Sequence, residues 1–118
     1  MSFEPREYLR HILVEVEFLM RASAGLDREQ FMRDETKRRA FVRSLEVIGE
    51  AARKLPEPFR RLHPQFEWKA MAGMRDRLIH GYFGIDYDLV WDVVQDKVPL
   101  LKQEVEALLN SKPGGPLV

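Results

Sequence analysis

The stretch Arg75-Asp76-Arg77-Leu78-Ile79-His80-Gly81-Tyr82-Phe83 sets a permanent cation, a carboxylate, an imidazole and a phenol within about two helical turns. Arginine grips a phosphate with a planar fork of donors. Histidine moves a proton near neutral pH. With a carboxylate beside them, the chemistry expected here is acid–base work on a phosphodiester.

Helical geometry constrains that chemistry. Asp76 and His80 are four residues apart and share a helix face. The carboxylate can therefore orient the ring and favour its protonated form. The helix C-terminus acts in the same direction. A protonated, oriented imidazole is a general acid, and its neutral form is the matching base. Arg75 and His80 are five residues apart, about 140° round an ideal helix. Either the helix unwinds at His80-Gly81, or the complementary Arg/His set comes from a second subunit. The plainer alternative is a helix end carrying an Arg–Asp surface pair and a capping histidine, with Tyr82 as packing.

The elements that must carry these residues are helical. Leu9, Ile12, Val16 and Leu19 draw one apolar stripe. Pro5 suits the first turn of that helix, and Gly25 suits its C-terminal cap. Asp27 can cap a short turn through Phe31. A long helix is expected over Glu35–Leu55, with Phe41, Leu45, Ile48, Ala52 and Leu55 inward. Pro56 and Pro58 end it. A short piece follows over Glu57–Leu62, then a third main helix over Trp68–His80, closed by Gly81. Asp86 can cap a last helix carrying Val90, Val94, Val98, Leu101, Val105 and Leu108, kinked or split at Pro99. Gly49 marks a close helix–helix approach, with Glu50 solvated or paired across the bundle. Lys37-Arg38-Arg39 opposes the dipole of the long helix at its start, with no evident reason in the sequence. No stretch alternates with period two. The expectation is an all-α, antiparallel four-helix bundle, one domain over residues 1–110 with a C-terminal tail over 111–118.

Composition narrows the functional classes. The 118 residues are 45% hydrophobic and 32% charged, which suits a single globular domain. The absence of cysteine excludes disulfides, thiolate metal sites and a cysteine nucleophile. His11 and His63 lack partners at metal-ligand spacing, so both read as structural or surface residues. The methionines read as core filler. No glycine-rich phosphate loop appears, so neither metal nor cofactor is expected. The first residues hold no apolar signal segment and no run could span a bilayer, consistent with a cytoplasmic protein.

Formal net charge is zero, with 19 basic and 19 acidic residues, unlike a chain built to coat nucleic acid. The distribution is uneven. Residues 53–80 carry seven Lys/Arg against three Asp/Glu, and the remainder beyond 80 carries three against six. The basic stretch is the one that ends in the motif, where it can focus a polyanion at a small site.

Arg75-Asp76-x-x-x-His80-x-Tyr82 resembles the Arg, then Asn/Asp/His, then three residues, then His pattern of the HEPN superfamily of small helical ribonucleases. Gly81-Tyr82 resembles more narrowly the HepT-like branch, toxin partners of minimal nucleotidyltransferase antitoxins. Residues 43–52 (Arg43-Ser44-Leu45-Glu46-Val47-Ile48-Gly49-Glu50-Ala51-Ala52) resemble that family's second helix. Trp68, Met74-Arg75 and residues 80–86 resemble its core block, and Val90-Trp91 the start of its last helix. The resemblance covers about residues 8–108. It implies a homodimer whose two motifs face one cleft. It also implies metal-independent cleavage of RNA by attack of its own 2′-OH, leaving a 2′,3′-cyclic phosphate. His80 would be the acid/base, Arg75 the anion stabiliser and Asp76 the orienting group. Tyr82 matches the tyrosine that the antitoxin adenylylates. The alternatives are a non-catalytic HEPN module that binds nucleotide or a protein partner, and a helical dimerisation protein with no ligand.

Overall fold

The computed structural model describes residues 4–64, 67–78 and 84–110. Helix α1 spans Pro5–Ser23, α2 Arg28–Arg33, α3 Glu35–Lys54, α4 Glu57–Leu62, α5 Trp68–Ala72, α6 Met74–Leu78, α7 Tyr87–Asp96 and α8 Val98–Leu109. No strand occurs among the described residues. The all-helical expectation holds, with the four main rods being α1, α3, α5–α6 and α7–α8.

Local chemistry sets the ends. Glu4 precedes Pro5 at the start of α1, where the missing N–H costs nothing. After the C-cap Ala24, Gly25 takes φ 75°, a left-handed conformation that a Cβ would strain. Asp27 and Gln30 exchange hydrogen bonds of 2.8 and 2.9 Å in a capping box at α2. Asp34 caps α3 by accepting from the Lys37 N–H at 3.0 Å, and Asp86 caps α7 through the Leu89 N–H at 3.0 Å. The cations early in α3 have partners after all. Arg39 pairs with Glu35 at 2.8 Å, and the Arg38 guanidinium lies 5.1 Å from the Tyr87 ring centroid.

Two rods are broken, the first where the sequence suggests a single helix and the second where Pro99 suggests a kink or split. Residues Trp68–Leu78 divide at Gly73, which caps α5 and donates to the Lys69 carbonyl at 3.0 Å. The Ala72 carbonyl accepts instead from Arg53 Nη2 at 2.9 Å, so a side chain replaces a helical partner at the break. The last rod divides at Lys97 because Pro99 has no N–H to give to the Gln95 carbonyl and its ring crowds that group. Val98-Pro99 then serves as the first turn of α8.

Helix α1 packs against α3 and α8, and α3 also against α5 and α6. Leu9, Ile12, Val16 and Leu19 from α1 meet Phe41, Leu45, Ile48 and Ala52 from α3, all fully buried or nearly so. Phe31 lies between Phe41 and Trp91, at centroid distances of 5.0 and 5.3 Å, and so ties α2 to α3 and α7. Arg6 donates to the Leu109 carbonyl, joining the start of α1 to the end of α8. His63 is buried beside Phe59 at 4.7 Å between ring centroids, and its carbonyl accepts from Trp68 Nε1 at 2.9 Å. A structural reading of His63 therefore stands.

Gly49 is the close approach the sequence suggests. A Cβ there would sit 2.8 Å from the Met71 carbonyl oxygen, a backbone atom that cannot swing away. Gly49→Ala is expected to push α5 off α3 and destabilise the fold by about 1–3 kcal/mol. Thermal unfolding checks this as a Tm lower by several degrees. An unchanged Tm would mean that the contact relaxes freely.

Candidate active site

Arg75 and Asp76 stand in the first turn of α6, directly after the break at Gly73, and both are exposed. Met74 and Leu78 point into the core from the same short helix. Apolar residues four apart fix its rotation, which turns Arg75 outward. Periodicity alone allows either Met74 or Arg75 as the inward residue, and the structure selects Met74. Beyond Leu78, the Asp86 N–H donates to the Leu78 carbonyl at 2.8 Å, and Gly84 has φ 97°, accessible to glycine at little cost. His80 and Tyr82, like Gly81, lie outside the described residues. The Asp76–His80 hydrogen bond and the 140° separation of Arg75 from His80 belong with them.

Arg75 does not pair with its neighbour Asp76. Its Nε donates to Glu46 Oε2 on α3 at 3.3 Å. Arg75 is 58% exposed at the side chain and Glu46 only 26%, so the carboxylate is the anchored partner and the guanidinium the accessible one. Only Nε is engaged in this contact, and the guanidinium carries further N–H donors. Of the two readings of Glu50, solvated or paired across the bundle, the structure bears out the first, and the ion pair to another helix is made by Glu46, one turn earlier. Glu50 is half-exposed and pairs within its own helix, with Arg53 at 3.7 Å and Lys54 at 3.9 Å.

Arg75 closes one side of a groove of about 410 Å³ between α1, α3 and α6. Arg43, Glu46, Glu50 and Lys54 line it from α3, and Tyr8 and His11 from α1. Tyr8 is buried and meets the exposed His11 edge-on, at 6.4 Å between ring centroids. Sequence reasoning set His11 aside for lack of a metal partner, and it passed over Glu46, Arg43 and Lys54. The available signal was periodicity. Positions 43, 46, 47, 50 and 54 fall on one side of a 3.6-residue helix, opposite the buried stripe of Leu45, Ile48 and Ala52. A smaller, apolar pocket of about 160 Å³ opens on that other side, among Leu45, Ile48, Met71, Met74 and Leu101. Glu67, Lys97 and Glu104 also line it, and Arg75 does not. Among the described residues, no three His, Cys, Asp or Glu side chains cluster as a metal site. Among them, too, no helix is long and apolar enough to cross a membrane.

The chain is thus a small helical bundle that presents an exposed arginine at the edge of a groove lined by charged side chains. The chain belongs to the Ribonuclease HepT-like family, whose model matches residues 12–108. It is 47% identical over 108 residues to a protein named "Putative RNase" from Caldanaerobacter subterraneus subsp. tengcongensis, covering 92% of this chain and 96% of the relative. It is 41% identical over 109 residues to another of that name from Methanocaldococcus jannaschii, covering 92% and 90%. It is 40% identical over 108 residues to "Probable ribonuclease HepT" from Thermococcus cleftensis, covering 92% and 98%. No solved structure gave a significant match.

Proposed function

We propose that this chain is an endoribonuclease that cleaves RNA without a metal, in a cleft shared by two copies. The observation that carries the reading is the placement of Arg75. It is exposed, held by one carboxylate through Nε, and set at the edge of a groove that Arg43, Glu46, Glu50 and Lys54 also line. Family membership supports the substrate class, because relatives along nearly the whole chain are named as RNases.

The reaction needs three services from the protein. A base takes the proton of the RNA 2′-OH as its oxygen attacks the adjacent phosphorus. A cation stabilises the extra negative charge on the phosphoryl oxygens. An acid protonates the departing 5′-oxygen, leaving a 2′,3′-cyclic phosphate. His80 supplies the proton transfers and Arg75 the charge stabilisation. Asp76 orients His80 from one turn away. None of these steps requires a metal.

A homodimer supplies the geometry that one helix denies. Across a two-fold axis, Arg75 of one copy can serve the histidine of the other. Light scattering at micromolar concentration is expected to give twice the 13.9 kDa chain mass. RNA incubated with a chelator is expected to yield fragments ending in cyclic phosphate. A monomer that cleaves at full rate would remove the shared cleft. Loss of cleavage with the chelator would remove the metal-free mechanism.

The same reading places the chain as the toxin half of a pair. Its activity would be silenced when a nucleotidyltransferase antitoxin adenylylates Tyr82. The support is the Gly81-Tyr82 sequence immediately after His80.

A further inference from the structure

A chain of zero net charge must hold a polyanion with a few well-placed cations rather than with a general field. The groove beside Arg75 has two further cations, both on α3. Arg43 and Lys54 are eleven residues apart, which is about 16 Å along the helix and only about 20° round it. They therefore stand on one face at opposite ends of the groove, and Arg75 reaches Glu46 on the stretch of α3 between them.

Their states in the free protein suit exchange with a ligand. Arg43 is exposed and makes no ion pair among the described residues. Among the described residues Lys54 pairs only with Glu50, at 3.9 Å, with both side chains more than half exposed. Such a pair contributes little and yields readily to a competing anion. Glu46 and Glu50 face the same groove, so a compact anion gains less there than an extended one that touches the cations and bypasses the carboxylates. An extended strand carries one phosphate per nucleotide at regular intervals and meets that requirement.

We infer that Arg43 and Lys54 form a track for the backbone of single-stranded RNA, one on each side of the phosphate held by Arg75. The inference rests on the ribonuclease reading of the site and adds the residues that seat the flanking nucleotides. These residues bind phosphate without regard to base, so they set affinity and register rather than sequence preference.

The test is the salt dependence of binding to a 2′-O-methyl RNA oligonucleotide, which keeps every phosphate but lacks the attacking hydroxyl. Each phosphate neutralised on a single strand contributes about 0.7 to the slope of log K against log salt. Arg43→Gln and Lys54→Gln each release one phosphate and are each expected to flatten the slope by about 0.7, and the double variant by the sum. Titration between roughly 50 and 200 mM salt gives the needed range. Arg33→Gln, on α2 and paired with Glu29, is expected to leave the slope as it was. Thermal melting confirms that the variants are folded.

Unchanged slopes in folded Arg43→Gln and Lys54→Gln, with a wild-type chain that cleaves unmodified RNA, overturn the track and leave the ribonuclease reading standing. In that outcome the two cations answer to an acidic protein surface instead. A wild-type chain that neither binds the oligonucleotide nor cleaves RNA overturns both.

Discussion

Replacing His80 with alanine is expected to abolish RNA cleavage, and replacing Arg75 with alanine to lower it by ~100-fold or more. The second figure is what loss of one preorganised donor to a developing oxyanion typically costs. The two losses have different physical origins. Without the imidazole, no group of suitable pKa stands beside Arg75 in sequence to take or give the proton. Without the guanidinium, the proton can still move, but the charge that builds on the phosphoryl oxygens is left to water. Arg75→Lys keeps the charge and loses the fork, and should recover only part of the rate.

Glu46 enters the same prediction. It holds Arg75 through Nε at 3.3 Å, so in the Arg75→Ala protein a partly buried carboxylate is left facing the groove without its partner. Part of the measured loss then comes from repulsion of RNA. Adding Glu46→Gln to Arg75→Ala is expected to recover binding but not the chemical step. Single-turnover rates on saturating RNA separate the two effects. Wild-type turnover by His80→Ala would remove the mechanism outright.

Much of this protein is legible in its sequence because short-range chemistry decides it. Asp27, Asp34 and Asp86 each cap the helix that follows, and the stripe from Leu9 to Leu19 faces the core at the spacing a helix demands. Gly49 could be read as a contact point because a helix has little other use for glycine in its middle. The break at Gly73 was not legible. Gly73 alone permits a break without requiring one, and the Ala72 carbonyl there is taken by Arg53 of α3, a contact between residues 19 apart in sequence.

The site divides the same way. Arg75 and Asp76 stand out by residue type and spacing. Glu46 does not, because Glu46 and Glu50 lie on one helix face and either could reach a partner. The rotation of α6, fixed by burial of Met74 and Leu78, decides for Glu46. His80 and Tyr82 lie outside the described residues, so their roles rest on their places in the sequence and on the family.

Tyr82 carries the remaining prediction of large effect. Incubation with the partner nucleotidyltransferase and ATP is expected to add AMP to Tyr82 and suppress RNA cleavage. The phenol oxygen attacks the α-phosphorus of ATP, its proton passes to a base of the partner enzyme, and pyrophosphate departs. The product places a phosphodiester and a nucleoside two residues from His80, where an RNA phosphate must otherwise sit. Like charge and bulk then exclude the substrate together. Tyr82→Phe removes only the attacking oxygen, so the variant is expected to cleave RNA and to escape inhibition. Intact mass reads the outcome directly, because each added group contributes one adenylyl unit. The readout of cleavage before and after treatment links the modification to control. If the wild-type chain gains no such mass, or Tyr82→Phe gains as much, the tyrosine is a packing residue and control of this ribonuclease lies elsewhere.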